Sequence, residues 1–150
     1  MLGIELDMVV SDSLDALETY ERVFGAERVE VTDYESGLNE AIFMLSGLRV
    51  HLMDENPDYN LIAPQPDDNQ PSWLNLVVED IHQIYSRAME NEFTSVQAPL
   101  DVPEMNLVNA VMLDPYGYVW MLHEVHEELS FEERTEILDQ RFGTGRSEEN

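Results

Sequence analysis

Cysteine is absent from this 150-residue chain, and so is lysine. Without cysteine there is no disulfide framework, no thiolate nucleophile and no thiolate metal site, so any metal would need histidine and carboxylate ligands. Without lysine there is no Schiff-base chemistry on a lysine amine. The seven basic residues are all arginine, set against 32 acidic ones for a formal net charge of -25. That balance argues against a nucleic-acid partner, because phosphate contacts need a basic footprint. Long apolar runs are missing too. The longest are strand-sized, and Met1-Leu2-Gly3-Ile4-Glu5 lacks the basic region and apolar stretch of a signal peptide, so the expectation is a cytoplasmic chain with no membrane partner. No glycine-rich phosphate loop and no nucleophile elbow occurs, which leaves nucleotide cofactors without support.

What is present is said twice. Val9-Val10-Ser11-Asp12 opens a helical pattern near the N-terminus and Val77-Val78-Glu79-Asp80 opens another halfway along, and each half closes on a glycine-led strand, Gly47 to Asp54 and Gly117 to His123. Such self-similarity marks two copies of one supersecondary unit, which would enclose a shared cleft. In the first copy, Gly3 to Val10 alternates as a half-buried strand with Ile4, Leu6, Met8 and Val10 on one face. Ser11 to Ser13 start a helix carrying Leu14, Leu17, Tyr20 and Phe24, which Gly25 stops. Strands follow around Val29 and Val31, at Ala41 to Leu45 and at Leu48 to Met53.

The second copy repeats the order. Trp73 to Val78 alternates, Asp80 and Gln83 form a capping pair, and Ile81, Ile84, Tyr85, Ala88 and Met89 recur at helical spacing. Phe93 to Gln97 and Leu107 to Leu113 read as strands around a loop at Ala98 to Met105, and Tyr118 to His123 is the last strand. Ser130 and Glu133 make a capping box for a further helix ending at Gly143. The predicted fold is α+β: two tandem β-α-β-β-β modules, 1–55 and 73–126, forming curved mixed sheets around a cleft. A Pro/Asp-rich linker spans 56–72, a C-terminal helix 127–143 and a disordered tail 144–150.

In the first and last strands of each module, one set of alternate positions is apolar and should face the helix, so the other set should line the open face. That set is Glu5, Asp7, Arg49, His51 and Met53 in the first module, and Trp73, Asn75, Met121 and His123 in the second. A surface charged at one end and aromatic or thioether-lined at the other suits an amphipathic small molecule. The net charge would draw a cationic ligand, although solubility or adaptation to salt is its simplest meaning. His123-Glu124-Val125-His126 superficially matches a zinc-protease motif but has one residue too few between Glu124 and His126, and it lies on a strand.

Ser11-Asp12 through Tyr20-Glu21-Arg22-Val23-Phe24-Gly25-Ala26-Glu27, Met53-Asp54-Glu55-Asn56-Pro57 and Asp114-Pro115-Tyr116-Gly117-Tyr118-Val119-Trp120-Met121-Leu122-His123 resemble the vicinal oxygen chelate superfamily of glyoxalases, bleomycin-resistance proteins and dioxygenases. The Asp-Pro turn with Trp120, followed by the Ser-Phe-Glu-Glu helix start, is most similar to the PhnB-like branch. The resemblance implies paired modules, a homodimer and a small-molecule ligand. In metal-dependent relatives the first and last strands of each module supply the ligands, and matching the motifs places Glu5, His51, Trp73 and Met121 there. Trp73 is no ligand and Met121 is a poor one for hard cations, so no cofactor is the expectation.

Glu5 and His51 admit three readings: an ion pair, an acid-base pair, or two ligands of a divalent ion with Asp7 as a third. The functional readings are accordingly a cleft-binding PhnB-like protein without a complete metal site, a resistance protein sequestering a bleomycin-type cationic drug, or a metal-dependent lyase, isomerase or dioxygenase using Glu5 and His51.

Overall fold

A computed structural model describes residues 2–143. Helix α1 spans Ser13–Phe24, begun by Asp12, whose side chain accepts from the N–H groups of Leu14 and Asp15, and ended by Gly25 at φ 71°. It turns Ala16, Leu17, Tyr20, Val23 and Phe24 inward. Around it lie β1 (Leu6–Val10), β2 (Glu27–Val31), β3 (Glu40–Leu45) and β4 (Leu48–Asp54), in the sheet order β1-β4-β3-β2. β1 runs parallel to β4 and the other pairs are antiparallel.

The second module contains β5 (Leu74–Val77), α2 (Ile81–Glu90), β6 (Thr94–Val102), β7 (Leu107–Leu113) and β8 (Val119–Val125), in the order β5-β8-β7-β6. The same parallel pairing joins β5 to β8. Helix α3 (Phe131–Phe142) is begun by Ser130, whose hydroxyl accepts from Glu133 N–H.

The helix-bearing sides of the two sheets share one core. Phe24 lies 4.3 Å from Trp120 and 5.7 Å from Phe93, centroid to centroid, and Tyr20 lies 5.3 Å from Trp120. Each such pair adds about 0.5–1.5 kcal/mol beyond the area it buries. The Tyr20 hydroxyl, at the heart of this cluster, donates to Asp114 at 2.5 Å. Trp120 Nε1–H donates to the same carboxylate, whose other oxygen accepts from the N–H groups of Tyr116 and Tyr118. The turn before β8 is thus fixed by a side chain of α1.

Four details differ from the sequence reading. β1 begins at Leu6, and Ile4, expected on the core face, is 90% exposed. Trp73 sits just before β5. The strand expected to end at Gln97 continues through the predicted loop to Val102. β6 is an edge strand whose register shifts between Gln97 and Leu100, so Pro99 there leaves no ladder partner unserved. Finally, α3 rests mainly on the short 3-10 turn Pro103–Met105, with Arg141 paired to Glu104.

The linker holds the turn between β7 and β8. The Gln70 side chain donates to Gly117 C=O and accepts from Val119 N–H, and Pro64 packs against Gly117. Gly117 has φ +94°, and a Cβ there would lie 3.1 Å from Pro64 Cβ. The expectation of a disordered tail concerns residues 144–150, which lie outside the described residues.

Candidate functional site

Alternation along β4 buries Val50 and Leu52 and turns Arg49, His51 and Met53 to the other face. Parallel pairing sets Asp7 of β1 beside His51, and Glu5 lies just ahead of β1. Ligand atoms of Glu5, Asp7 and His51 therefore all fall within 4.8 Å of one another. His51 Nδ1 is 3.2 Å from Glu5 and 3.7 Å from Asp7, while Nε2 is 3.3 Å from Glu40 of β3. Arg49 Nε donates to the second Glu5 oxygen at 2.7 Å.

The Arg49 guanidinium, helped by Asp7 and His51, holds the Glu5 carboxyl below its ordinary range. Burial, and then the neighbouring Glu5, push Asp7 above it. The group is an ion-pair network that combines two carboxylates with one imidazole. By kind, those donors suit a divalent cation. The second module adds none, since Trp73 has no lone pair to offer and Met121 has only a thioether, and Arg49 competes for Glu5.

The second sheet carries a separate, uncharged cluster. His123 Nδ1 lies 2.8 Å from the Asn75 amide and Nε2 lies 2.9 Å from the Asn109 amide. Gln97 donates to Asn109 Oδ1 at 3.3 Å, which leaves the Asn109 NH2 to donate to Nε2. The ring proton then sits on Nδ1 and Asn75 turns its oxygen to it. Burial pushes the His123 pKa down, which favours this neutral ring. His126 instead faces Glu124 at 3.6 Å, so the two histidines of the protease-like motif do not converge.

Between β1 and the start of β5 lies a cavity of about 190 Å³. Asp7 and Trp73 line it together with Leu6, Met8, Leu74, Tyr118, Val119 and Trp120. Of the residues singled out from the sequence, Asp7 and Trp73 meet at this cavity, and Glu5, Arg49 and His51 adjoin it through Asp7. Asn75 and His123 belong to the second cluster, Met121 pairs in register with Asn75, and Met53 pairs with Glu40. Among the described residues no hydrogen bond joins the acidic group to the asparagine–histidine group.

Glu40, Gln97, Asn109 and Tyr118 escaped the sequence reading. The first three lie on second and third strands of their modules, where the same alternation applied to β3, β6 and β7 would have pointed to them. Tyr118 reaches its place only through module packing, donating from its hydroxyl to Val9 C=O at 2.8 Å.

Two four-stranded mixed sheets, each with a helix across one face, define a paired-module α+β protein. The chain belongs to the Glyoxalase/Bleomycin resistance protein/Dioxygenase superfamily, whose family model matches residues 5–122. A comparison with curated protein sequences finds no match. Among solved structures, the chain is similar to a mutant of the fosfomycin resistance protein FosX from Listeria monocytogenes, complexed with manganese(II) and 1S,2S-dihydroxypropylphosphonic acid. The TM-score is 0.66 at 13% identity, covering 92% of this chain and 98% of that one. FosX from Mesorhizobium loti gives 0.63 at 16% identity, covering 91% and 98%. TioX from Micromonospora sp. ML1 gives 0.58 at 18% identity, covering 83% and 100%. At these identities the likeness is one of fold.

Proposed function

We propose that this chain is a PhnB-like, cytoplasmic, homodimeric protein that binds a small organic molecule at the junction of its modules, without a complete metal site. The observation that carries this reading is the cavity that brings Asp7 and Trp73 to one place, with Glu5 and His51 alongside. Polar contact falls to Glu5, Asp7 and His51, and apolar contact to Trp73, with Met53 and Met121 on the flanking open faces. The charge of -25, with Arg49 already paired to Glu5, favours a cationic or neutral ligand. An anion such as the phosphonic acid held by the FosX complex would meet no arginine in the lining of this cavity. Trp73, Val77, Val96 and Leu100, each more than half exposed, supply apolar surface for a second copy to cover.

A thermal-shift panel of small cations, neutral molecules and anions, with a bleomycin-type glycopeptide included, tests the binding reading. Stabilisation by at least one cationic or neutral compound, lost in Trp73→Ala, is the expected result. No stabilisation by any compound, or the same shifts in Trp73→Ala, overturns it.

The 4.8 Å grouping of Glu5, Asp7 and His51 favours a second reading, in which these three hold a divalent ion for lyase, isomerase or dioxygenase chemistry. Titration with manganese, nickel or zinc decides it. Tight binding lost in His51→Ala carries the metal reading, and failure of the folded wild-type chain to bind any of the three ends it.

A further inference from the structure

Three consecutive residues of β1, Leu6, Asp7 and Met8, line the junction cavity. Successive side chains of a strand point to opposite faces, so a cavity touched by all three lies at the strand's edge, where the main chain is open. Among the described residues β1 pairs only with β4, and β5 only with β8, so the edges of β1 and β5 that meet at the cavity have no strand partner. The direction of the main-chain groups follows from two hydrogen bonds. Val10 C=O accepts from Glu55 N–H on the β4 side, whereas Val9 C=O accepts from the Tyr118 hydroxyl on the free side. Alternation then turns Asp7 C=O to the free side as well. Asp7 thus offers two acceptors to one cavity, a carboxylate and a main-chain carbonyl.

The rest of the lining is apolar or aromatic, with Trp73, Tyr118 and Val119 around the cavity and the buried Trp120 behind them, and no arginine takes part. The Asp7 carboxylate has another carboxylate beside it and stands 3.7 Å from the nearest cationic candidate, His51 Nδ1. The volume of about 190 Å³ compares with the roughly 150 Å³ of an apolar cavity that takes up benzene. A single ring with a short tether fits that space, and a large glycopeptide does not.

We propose that this cavity takes a compact primary amine. Its ammonium group donates to the Asp7 carboxylate and to Asp7 C=O, and its aromatic or branched apolar body lies against Trp73, Tyr118 and Val119. The inference rests on the small-molecule reading above and adds the ligand's chemical class. A quaternary ammonium carries the charge but no N–H, and would leave both acceptors unserved. A neutral alcohol supplies one donor and no charge.

Isothermal titration of the full chain at low ionic strength tests the proposal, with 2-phenylethylamine, its N,N,N-trimethyl analogue, 2-phenylethanol and 3-phenylpropionate as probes. The amine binds at least about tenfold tighter than the trimethyl analogue and the alcohol, and the carboxylate does not bind. Asp7→Asn weakens the amine about tenfold and leaves the alcohol unchanged, whereas Trp73→Ala weakens both; circular dichroism confirms that each variant folds. If amine and alcohol bind equally and both depend on Trp73, the small-molecule reading stands and the amine proposal falls. An amine affinity unchanged in Asp7→Asn overturns it as well. So does binding by none of the four probes, in which case the thermal-shift panel separately decides the broader reading.

Discussion

Asp54 and Asp114 are both buried carboxylates, 3% and 4% exposed, and their surroundings move them in opposite directions. Burial alone would push Asp54 up. The bonds from the Ser13 hydroxyl at 2.6 Å and the N–H groups of Ser13, Asn39 and Gly37 at 2.7, 3.0 and 2.9 Å outweigh it and hold the carboxyl below its ordinary range. At Asp114 burial outweighs the bonds from Tyr20, Tyr118, Trp120 and Tyr116, and the carboxyl rises. An unfolded aspartate titrates near pH 3.9, so Asp54 stabilises the fold above about pH 4, and that contribution is lost as pH falls through its lower folded value. Asp114 has the opposite sign: the folded chain takes up its proton first, and acidification through the raised value relieves the cost of the buried charge. Asp54→Asn should cost about 2 kcal/mol at pH 7, with the deficit shrinking below about pH 4. Urea unfolding of wild type and variant at pH 7 and pH 3 checks this, and an equal deficit at both values would contradict the assignment.

Two glycines separate backbone conformation from packing at the level of whole elements. Gly25 ends α1 at φ +71° with nothing within 4 Å of a would-be Cβ, while Gly117 combines φ +94° with the close approach of Pro64. Gly25→Ala should cost about 1 kcal/mol for the left-handed backbone alone. Gly117→Ala should cost more, about 2–3 kcal/mol, because the linker must also move. Chemical denaturation ranks the two, and equal costs would mean that the linker yields freely. The elements themselves were largely legible in the sequence, since Asp12, Asp80 and Ser130 mark helix starts by chemistry and the apolar alternation of β4 and β8 reports one buried face. β6 was half-missed because an edge strand with little buried surface has no apolar period to show, and Gln97-Ala98-Pro99 reads as a loop. Ile4 misled for the opposite reason, an apolar residue in phase with the strand but beyond its end. The grouping of Glu5, Asp7 and His51 follows from strand pairing and was approachable. The cavity was not, because it exists only where two modules, distant in sequence, bring free edges together.

Across the whole molecule the excess of acidic groups sets a repulsive field that ions screen over about 30 Å at 0.01 M and about 8 Å at 0.15 M salt. The melting temperature should rise by several degrees between those concentrations, while the affinity of a cationic ligand falls, since the same screening weakens its attraction. Thermal unfolding and calorimetry over one salt series measure both, and a melting temperature that falls with salt would show that the charges are locally compensated. The Tyr20 side chain bears on the molecule at this scale as well. It belongs to the first repeat, yet its ring lies against Trp120 and Tyr116 of the second and its hydroxyl completes the Asp114 turn. Repetition in the sequence therefore does not correspond to independent folding units. The halves are complementary fragments, and a chain severed in the linker would have to reunite its pieces before either half had a finished interior.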